Sequence, residues 1–440
     1  HRRDDHRNVL QAAVVSALPL EPLPIRSAAP GPSDCARMRI VVHDYAGHPF
    51  QVQLSRELAA RGHDVLHLYC ASVTTGQGDL QRRVDDPDTL DIEPITLSST
   101  FERYAPSKRL RQEISYGKAA SRRALAFEPD VVLSSNTPLL AQRLLVNGCR
   151  RRGVAAVFWH QDVLGLGIKR VLSRRNALVG TIVGGAFVAL ERAALRRSDA
   201  VVAVSDDFVP VLAGWGIASD RIHVVENWAP IDELPLVRRD NAWAAEQGLV
   251  GRTVVLYSGT LGLKHNPELL LALARRHRDN DDVAVVVVSE GLGASFLQEA
   301  AEREELSNLR VLPFQPYDRL PEVLASADVL VAILEADAGV FSVPSKVLSY
   351  LCAGRAILGA LPATNLAART LERSNAGLVV EPRDVEGFVD AGTRLIDDRT
   401  ERERCGRAGR RAAEHAFDVD AITNRFESVL SAASHIPPNM

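Results

Sequence analysis

With 440 residues, 46% of them hydrophobic and 24% charged, the chain has the composition of a folded protein too long for one ordinary core and suited to two domains. A formal net charge of -3 excludes a global pull toward nucleic acid or anionic lipid, so any basic function must be local. The five cysteines (Cys35, Cys70, Cys149, Cys352, Cys405) are scattered and never form CxxC, which argues against a disulfide framework or a zinc site and fits reduced thiols in a cytosol.

In chain order, residues 1–37 mix Arg, Pro and Ala with little periodicity, and their longest apolar run, AAVVSAL, is short for a signal peptide. They read as a disordered extension or a start-site artefact, with Met38 opening the folded part. Six short, nearly continuous apolar runs follow, at 39–44, 64–69, 130–135, 154–159, 199–205 and 221–227. Such runs predict strands buried on both faces of a parallel sheet. Between them lie helical stretches such as FQVQLSRELAARG and TPLLAQRLLVNGCRRRG, each ending on a Gly where a helix cap would sit. This is a βα-alternating N-terminal domain, 38–227. The beat breaks at 228–250, a linker with two prolines and no clear period. It resumes with runs at 253–259, 282–290, 308–313, 328–334, 355–361 and 376–382, a second domain over 251–415. Helices at 400–414 and 420–433 close the chain, 416–440 forming the C-terminal helix and tail. The fold class is α/β: two doubly wound, Rossmann-like parallel-sheet domains facing across a cleft.

In such sheets ligands sit outside the carboxyl ends of the strands, so the residues just after each strand carry the chemistry. SGTLGLKHN follows one strand and precedes a helix. There Ser258, Gly259, Thr260 and Gly262 let backbone N–H groups approach a ligand, and Lys264 adds a compact charge, a set that fits a phosphate. An ordinary turn with a solvated lysine is the alternative. Only five of the 52 basic residues are Lys, and beyond Lys169 only Lys264 and Lys346 remain. Where Arg has replaced nearly every other Lys, the survivors point to places a planar guanidinium does not fit, chance survival being the alternative. Ser345 and Lys346 begin a helix after Pro344, a second cationic helix start for the same diphosphate.

Glu290 and Gly291 follow another strand, but Phe296 stands where a dinucleotide fingerprint needs its last Gly, which argues against a classical NAD site, and GxxxxGK[ST] is absent, so a P-loop enzyme is not expected. In the first half Gly47 and His48 follow the first strand, and His160 with Asp162 ends another; a structural histidine is the alternative at both. His63 and His67 read as structural. The DxD pairs Asp86/Asp88 and Asp418/Asp420 fall outside the cleft, so no metal is expected.

The segments FWHQDV, VVENWAP, YSGTLGLKHNPELLL, PFQPYDRLPEVLASADVLVAIL and VPSKVLSYLCAGRAIL, in this order and spacing, resemble the GT-B glycosyltransferases of the retaining family 4 type. The nearest branch is the bacterial one that builds surface polysaccharides and is similar to N-acetylfucosamine transferases. The resemblance spans Met38 to the final helix. It implies a glycosyltransferase, hexosyl or N-acetylhexosaminyl, in which the C-terminal domain holds a nucleotide-diphosphate sugar, a UDP-sugar being favoured, and the N-terminal domain holds the acceptor. It further implies transfer with retention and without metal or other cofactor. By residue, Lys264 and the 259–262 loop would bind the diphosphate, Glu290, Gly291 and Phe314 would border the base, and Ser342, Val343, Ser345 and Lys346 would meet the phosphates or the donor sugar. His160 would lie near the anomeric carbon and Gly47–His48 would face the diphosphate. The family's paired glutamates are replaced by Phe341 and Ser349, the latter at the ribose position.

The segments 103–125 and 168–197 are basic with apolar faces, and the apolar run 176–190 is too short to span a bilayer but suits an interfacial helix. They fit a glycan or polyprenyl-linked acceptor met by a cytoplasmic protein in peripheral contact with the inner membrane face; a buried core helix with a solvated flank is the alternative. Two other functions compete: a sugar-nucleotide 2-epimerase of the same fold, and a non-catalytic nucleotide-sugar binder.

Overall fold

The computed structural model describes residues 36–73, 77–96, 106–262, 265–336 and 342–434. The first sheet is all parallel and holds β1 (Arg39–Asp44), β2 (Asp64–Cys70), β3 (Leu90–Ile95), β4 (Val131–Ser135), β5 (Ala155–His160), β6 (Ala200–Ala203) and β7 (Ile222–Val224). Their order is β3-β2-β1-β4-β5-β6-β7. The second sheet holds β8 (Thr253–Ser258), β9 (Val283–Val288), β10 (Leu309–Leu312), β11 (Val329–Ile333), β12 (Ala356–Ala360) and β13 (Gly377–Val380), in the order β10-β9-β8-β11-β12-β13. The strands form where β-branched side chains, which crowd a helix, stand on a pleated surface covered on both sides; β4, β5, β9, β11 and β12 are buried at every residue. In each sheet the order reverses beside the first strand, between β1 and β4 and between β8 and β11. Those are the crevices where a doubly wound sheet takes a ligand.

Twelve of these strands coincide with the predicted runs to within a few residues. The thirteenth, β3 (LDIEPI), escapes a search for continuous apolar runs, because it is an edge strand wetted along much of its length and can tolerate Pro94. The run 176–190 needs a larger correction. It belongs to an unbroken helical stretch, Ala177–Arg197, of 21 residues, long and apolar enough to cross a membrane by length and composition alone. A π turn at Gly180–Gly184 lies within it, and the helix continues past Glu191, whose side chain is buried.

The segment after β7 is anchored at two tryptophans. The indole of Trp228 donates to Gln53 Oε1 at 2.7 Å in the first lobe, and that of Trp243 donates to Gln315 Oε1 at 3.0 Å in the second. The last helix, Val419–Ser434, returns to the first lobe. There Phe426 lies 4.6 Å from the Trp159 ring and 6.0 Å from that of Trp228. Glu427 accepts from Arg61 at 2.6 Å and pairs with His63 at 2.9 Å, which gives His63 its structural role. One apolar core runs through these aromatics from the first sheet to Tyr350 and β12 in the second lobe.

Candidate active site

Two tyrosines shape the carboxyl end of β8. The Tyr350 hydroxyl accepts from the Ser258 N–H and donates to its carbonyl, both at 3.0 Å, so a side chain holds the strand end on the side where pairing with β11 has stopped, while β9 still pairs with it on the other. The Tyr257 hydroxyl donates to the Thr260 carbonyl at 2.8 Å and bends the loop over. The turn needs Gly259, whose φ of 125° side chains rarely adopt and where a Cβ would stand 3.2 Å from Lys346 Nζ. Lys346 opens the helix Lys346–Ala353 with Ser345 as its N-cap. Its ammonium lies 3.5 Å from the centre of the Tyr257 ring, is buried, and has no hydrogen-bond partner among the described residues. Burial pushes its pKa well below the lysine range. An ammonium has three donors, and leaving them unsatisfied away from water is costly, so an acceptor-rich, anionic neighbour would satisfy this group.

The surrounding loops converge on that point. Leu261 accepts from the Gly293 N–H at 3.2 Å, and a Cβ on Gly293 would meet the same carbonyl at 2.6 Å, so the β8 loop lies directly on the helix that begins after Gly291. Gly291 has φ 101°, and exposed Glu290 accepts from the Phe314 N–H at 3.4 Å, drawing the segment after β10 alongside. Asn365 donates to the Ser342 carbonyl at 2.9 Å and fixes the approach to Val343 and Ser345. Ser349 lies one turn into the Lys346 helix, half-buried. Gly262 and His265 close on one another, with the Gly262 N–H donating to His265 Nδ1 at 3.1 Å. Lys264, between them, lies outside the described residues, as does Phe341.

Across the cleft, the crevice between β1 and β4 is organised by Asp44, which sequence reasoning did not single out. Fully buried, it accepts from the backbone N–H groups of Ala46 and His48 and from Asn136 Nδ2 at 3.3 Å. The His48 ring stands 3.4 Å from it and 3.2 Å from Asn136 Nδ2. Burial alone would lower the His48 pKa, but Asp44 and, less strongly, Asp162 more than reverse this and raise it. Burial would likewise raise Asp44, yet the charge and hydrogen bond of His48 hold it below the usual carboxylate range. Gly47 turns the loop at φ 73°. Asn136 is left-handed at φ 53°, a conformation Asn accepts more readily than most residues. The sequence signals were a carboxylate ending the first strand and an Asn ending the fourth.

His160 sits deeper. It is fully buried at the end of β5, its Nε2 3.0 Å from Glu191 Oε1, and Glu191 also accepts from the Leu164 and Gly165 N–H groups. Gln161 and Asn227 exchange amide hydrogen bonds beside it. The structure therefore gathers His48 with Asp162, and Lys346 with Gly259, while it sets His160 behind the surface. Asp207, beyond the end of β6, meets Arg369, in the helix after β12, at 2.9 Å, so the carboxyl edges of the two sheets face each other. Among the described residues no cluster of three His, Cys, Asp or Glu side chains has the makings of a metal site.

Comparison with known proteins fits this geometry. Residues 50–233 match the pattern of Glycosyltransferase Family 4 and residues 240–412 that of Glycosyl transferases group 1. The putative colanic acid biosynthesis glycosyl transferase WcaI of Escherichia coli K12 is 29% identical over 210 residues, 47% of this chain and 51% of that protein. The match thus spans about half the length of that relative. Among solved structures, sucrose-phosphate synthase of Thermosynechococcus elongatus superposes with a TM-score of 0.69 at 16% identity over 89% of this chain and 98% of that one. Anabaena HepE in complex with UDP-glucose gives 0.66 at 16% over 90% and 100%. The lipopolysaccharide glycosyltransferase WaaG gives 0.63 at 16% over 89% and 99%. The fold is GT-B.

Proposed function

We propose that this GT-B chain, which carries the family 4 pattern in one lobe and the group 1 glycosyltransferase pattern in the other, transfers a sugar from a UDP-sugar to a polysaccharide-precursor or lipid-linked acceptor with retention and without metal. The observation that carries the reading is the Lys346 ammonium, buried, without a hydrogen-bond partner among the described residues and pressed against Gly259 at the switch point of the second sheet. The uridine part rests on the UDP and UDP-glucose complexes of the HepE fold neighbour.

In this reading the second lobe holds the donor. Lys346, Lys264 and the 258–262 backbone grip the diphosphate, Ser342, Val343 and Ser345 border the phosphates and sugar, Ser349 lies toward the ribose, and Glu290, Gly291 and Phe314 border the base. The first lobe offers the acceptor side, with Asp162 and the Gly47–His48 loop toward the cleft. The bond from the anomeric carbon to the phosphate oxygen breaks, the acceptor hydroxyl bonds to the same face of that carbon, and its proton passes to the departing phosphate. Cationic stabilisation of the leaving diphosphate is worth about 3 kcal/mol per well-placed donor. His48, held toward its charged form by Asp44, adds positive potential from the facing lobe. His160, its ring clamped by Glu191, supports the floor near the anomeric carbon.

A nucleotide-sugar binder without turnover is the second reading, favoured by Ser349 at the ribose position. An epimerase would use carboxylates and a His as acid and base, but Asp44 is committed to its own loop's N–H groups. Full-length protein mixed with UDP-sugars separates the three: an epimerase changes the sugar alone, a transferase needs an acceptor or slowly hydrolyses the donor, and a binder does neither.

Lys346→Met keeps the stem volume and removes the charge. It should weaken UDP binding by at least about tenfold, roughly 1.4 kcal/mol, without lowering the melting temperature. Because burial favours the neutral amine and a diphosphate favours the ammonium, UDP binding to the parent protein should take up a proton and strengthen as pH falls. Calorimetry in two buffers of different ionisation heat reads both effects; unchanged affinity in the variant overturns the reading.

A further inference from the structure

We propose that the helical hairpin formed by Leu164–Arg175 and Ala177–Arg197 docks this protein on an anionic lipid bilayer by shallow insertion of its crest. The two helices meet through glycine. A Cβ on Gly180 would stand 2.0 Å from Ser173 Oγ, and one on Gly184 would stand 2.6 Å from Lys169 Cα. With the small residues turned inward, the large apolar ones face water: Leu178 is 67% exposed, Ile182 63%, Val183 43% and Val179 40%. A soluble amphipathic helix has the opposite arrangement, and a contiguous apolar crest of this kind marks an interaction surface.

Charge identifies the occupant. From Val163 to Leu190 the sequence contains Lys169, Arg170, Arg174 and Arg175 and no Asp or Glu, an excess of one sign against a chain of net charge -3. An anionic surface complements that flank. A second copy meeting this one through the same patch would bring the like charges together.

The geometry also sets the depth. Ala177–Arg197 is long enough to cross a bilayer, but Glu191, Ala194 and Leu195 are buried in the lobe, and Glu191 holds His160 and the Leu164 and Gly165 N–H groups. Spanning would tear these out. Among the described residues of the hairpin the most exposed apolar turns, Leu178 to Val183, are free to enter, a depth of about 5–10 Å into the headgroup boundary. The hairpin root adjoins Asp162, so a docked chain carries its first-lobe crevice at the membrane. On the transferase reading, this makes the acceptor lipid-linked; the docking itself does not depend on that reading.

The test is co-sedimentation of the full chain with vesicles of phosphatidylglycerol and phosphatidylethanolamine, against vesicles of phosphatidylcholine alone. We expect at least tenfold stronger binding to the anionic vesicles, weakening with salt. The double variant Leu178→Asp/Ile182→Asp should lose that binding tenfold or more while keeping the parent circular dichroism spectrum and thermal shift with UDP. Lys169→Glu should weaken binding and flatten its salt dependence. Equal binding to both vesicle types, full retention by the double variant, or a dimer in size exclusion that the double variant abolishes would each overturn the proposal. Sedimentation reads no sugar transfer, so it can fail while the transferase reading stands, and the reverse.

Discussion

His43 and His67 lie beneath the first-lobe crevice with no exposed surface, His43 between Tyr116 at 2.9 Å and Ser134 at 3.0 Å, His67 on Ser55 at 2.8 Å. Burial, countered in part by Asp44, lowers both from the ordinary 6.5 to about 4. His67 further lowers His43, as Arg56 does His67. Between those two values the unfolded chain binds protons that the folded chain does not, so stability is complete above pH 6.5 and declines as pH falls toward 4. Each histidine can account for about 3 kcal/mol of that decline. Urea unfolding at pH 7 and pH 4.5 should show the loss, and His67→Gln, which keeps a partner for Ser55, should remove part of the slope. A variant with the parent's pH dependence would show that other groups govern acid unfolding. Lys346 follows the same physics: burial disfavours its charge in the free protein, and an anion beside it would favour that charge again.

Among the elements, the last helix decides more than its position at the chain end indicates. Phe426 packs against both Trp159 and Trp228, which stack on one another, so a helix that follows the second lobe in sequence completes the core of the first. Phe426→Ala should cost about 3–5 kcal/mol, read as a lower urea midpoint with an unchanged slope. A loss below about 1 kcal/mol would mean that the helix is only draped on the lobe. The hairpin 164–197 has the reverse character. Its root is stitched into the fold by Glu191, while its crest contributes little to the core, which is why substitutions at Leu178 and Ile182 are expected to spare stability.

At the scale of the whole molecule the lobes are joined by both apolar and polar contacts. Glu233 accepts from Arg83 of the first lobe at 2.6 Å and from the Tyr317 hydroxyl of the second at 2.7 Å, and Asp207 meets Arg369 elsewhere on the interface at 2.9 Å. Partly exposed pairs of this sort contribute at most about 1 kcal/mol each, whereas the Trp159–Trp228–Phe426 cluster is fully desolvated. The double variant Glu233→Ala/Asp207→Ala should therefore melt within a few degrees of the parent but sample wider lobe separations, seen as a larger radius of gyration in X-ray scattering. An unchanged radius would mean that the aromatic cluster alone sets the spacing.

Twelve strands, the helices capped by Gly62 and Gly153, the two-lobed α/β class and the strand ends where Ser258, Lys346, Gly47 and His48 stand were legible from the sequence, because apolar periodicity and cap residues are local properties of a chain. What only the tertiary structure decided lies in pairs far apart in sequence. Lys346 meets Tyr257 and Gly259, Asp44 meets Asn136, Glu191 clamps His160, and Phe426 reaches Trp159. Parallel sheets switch their strand order between β1 and β4 and between β8 and β11, and the side chains that meet there are set by crossover connections rather than by spacing along the chain. The same holds for burial: that Lys346 lies enclosed at its helix start is decided by the Tyr257 ring and the turn at Gly259.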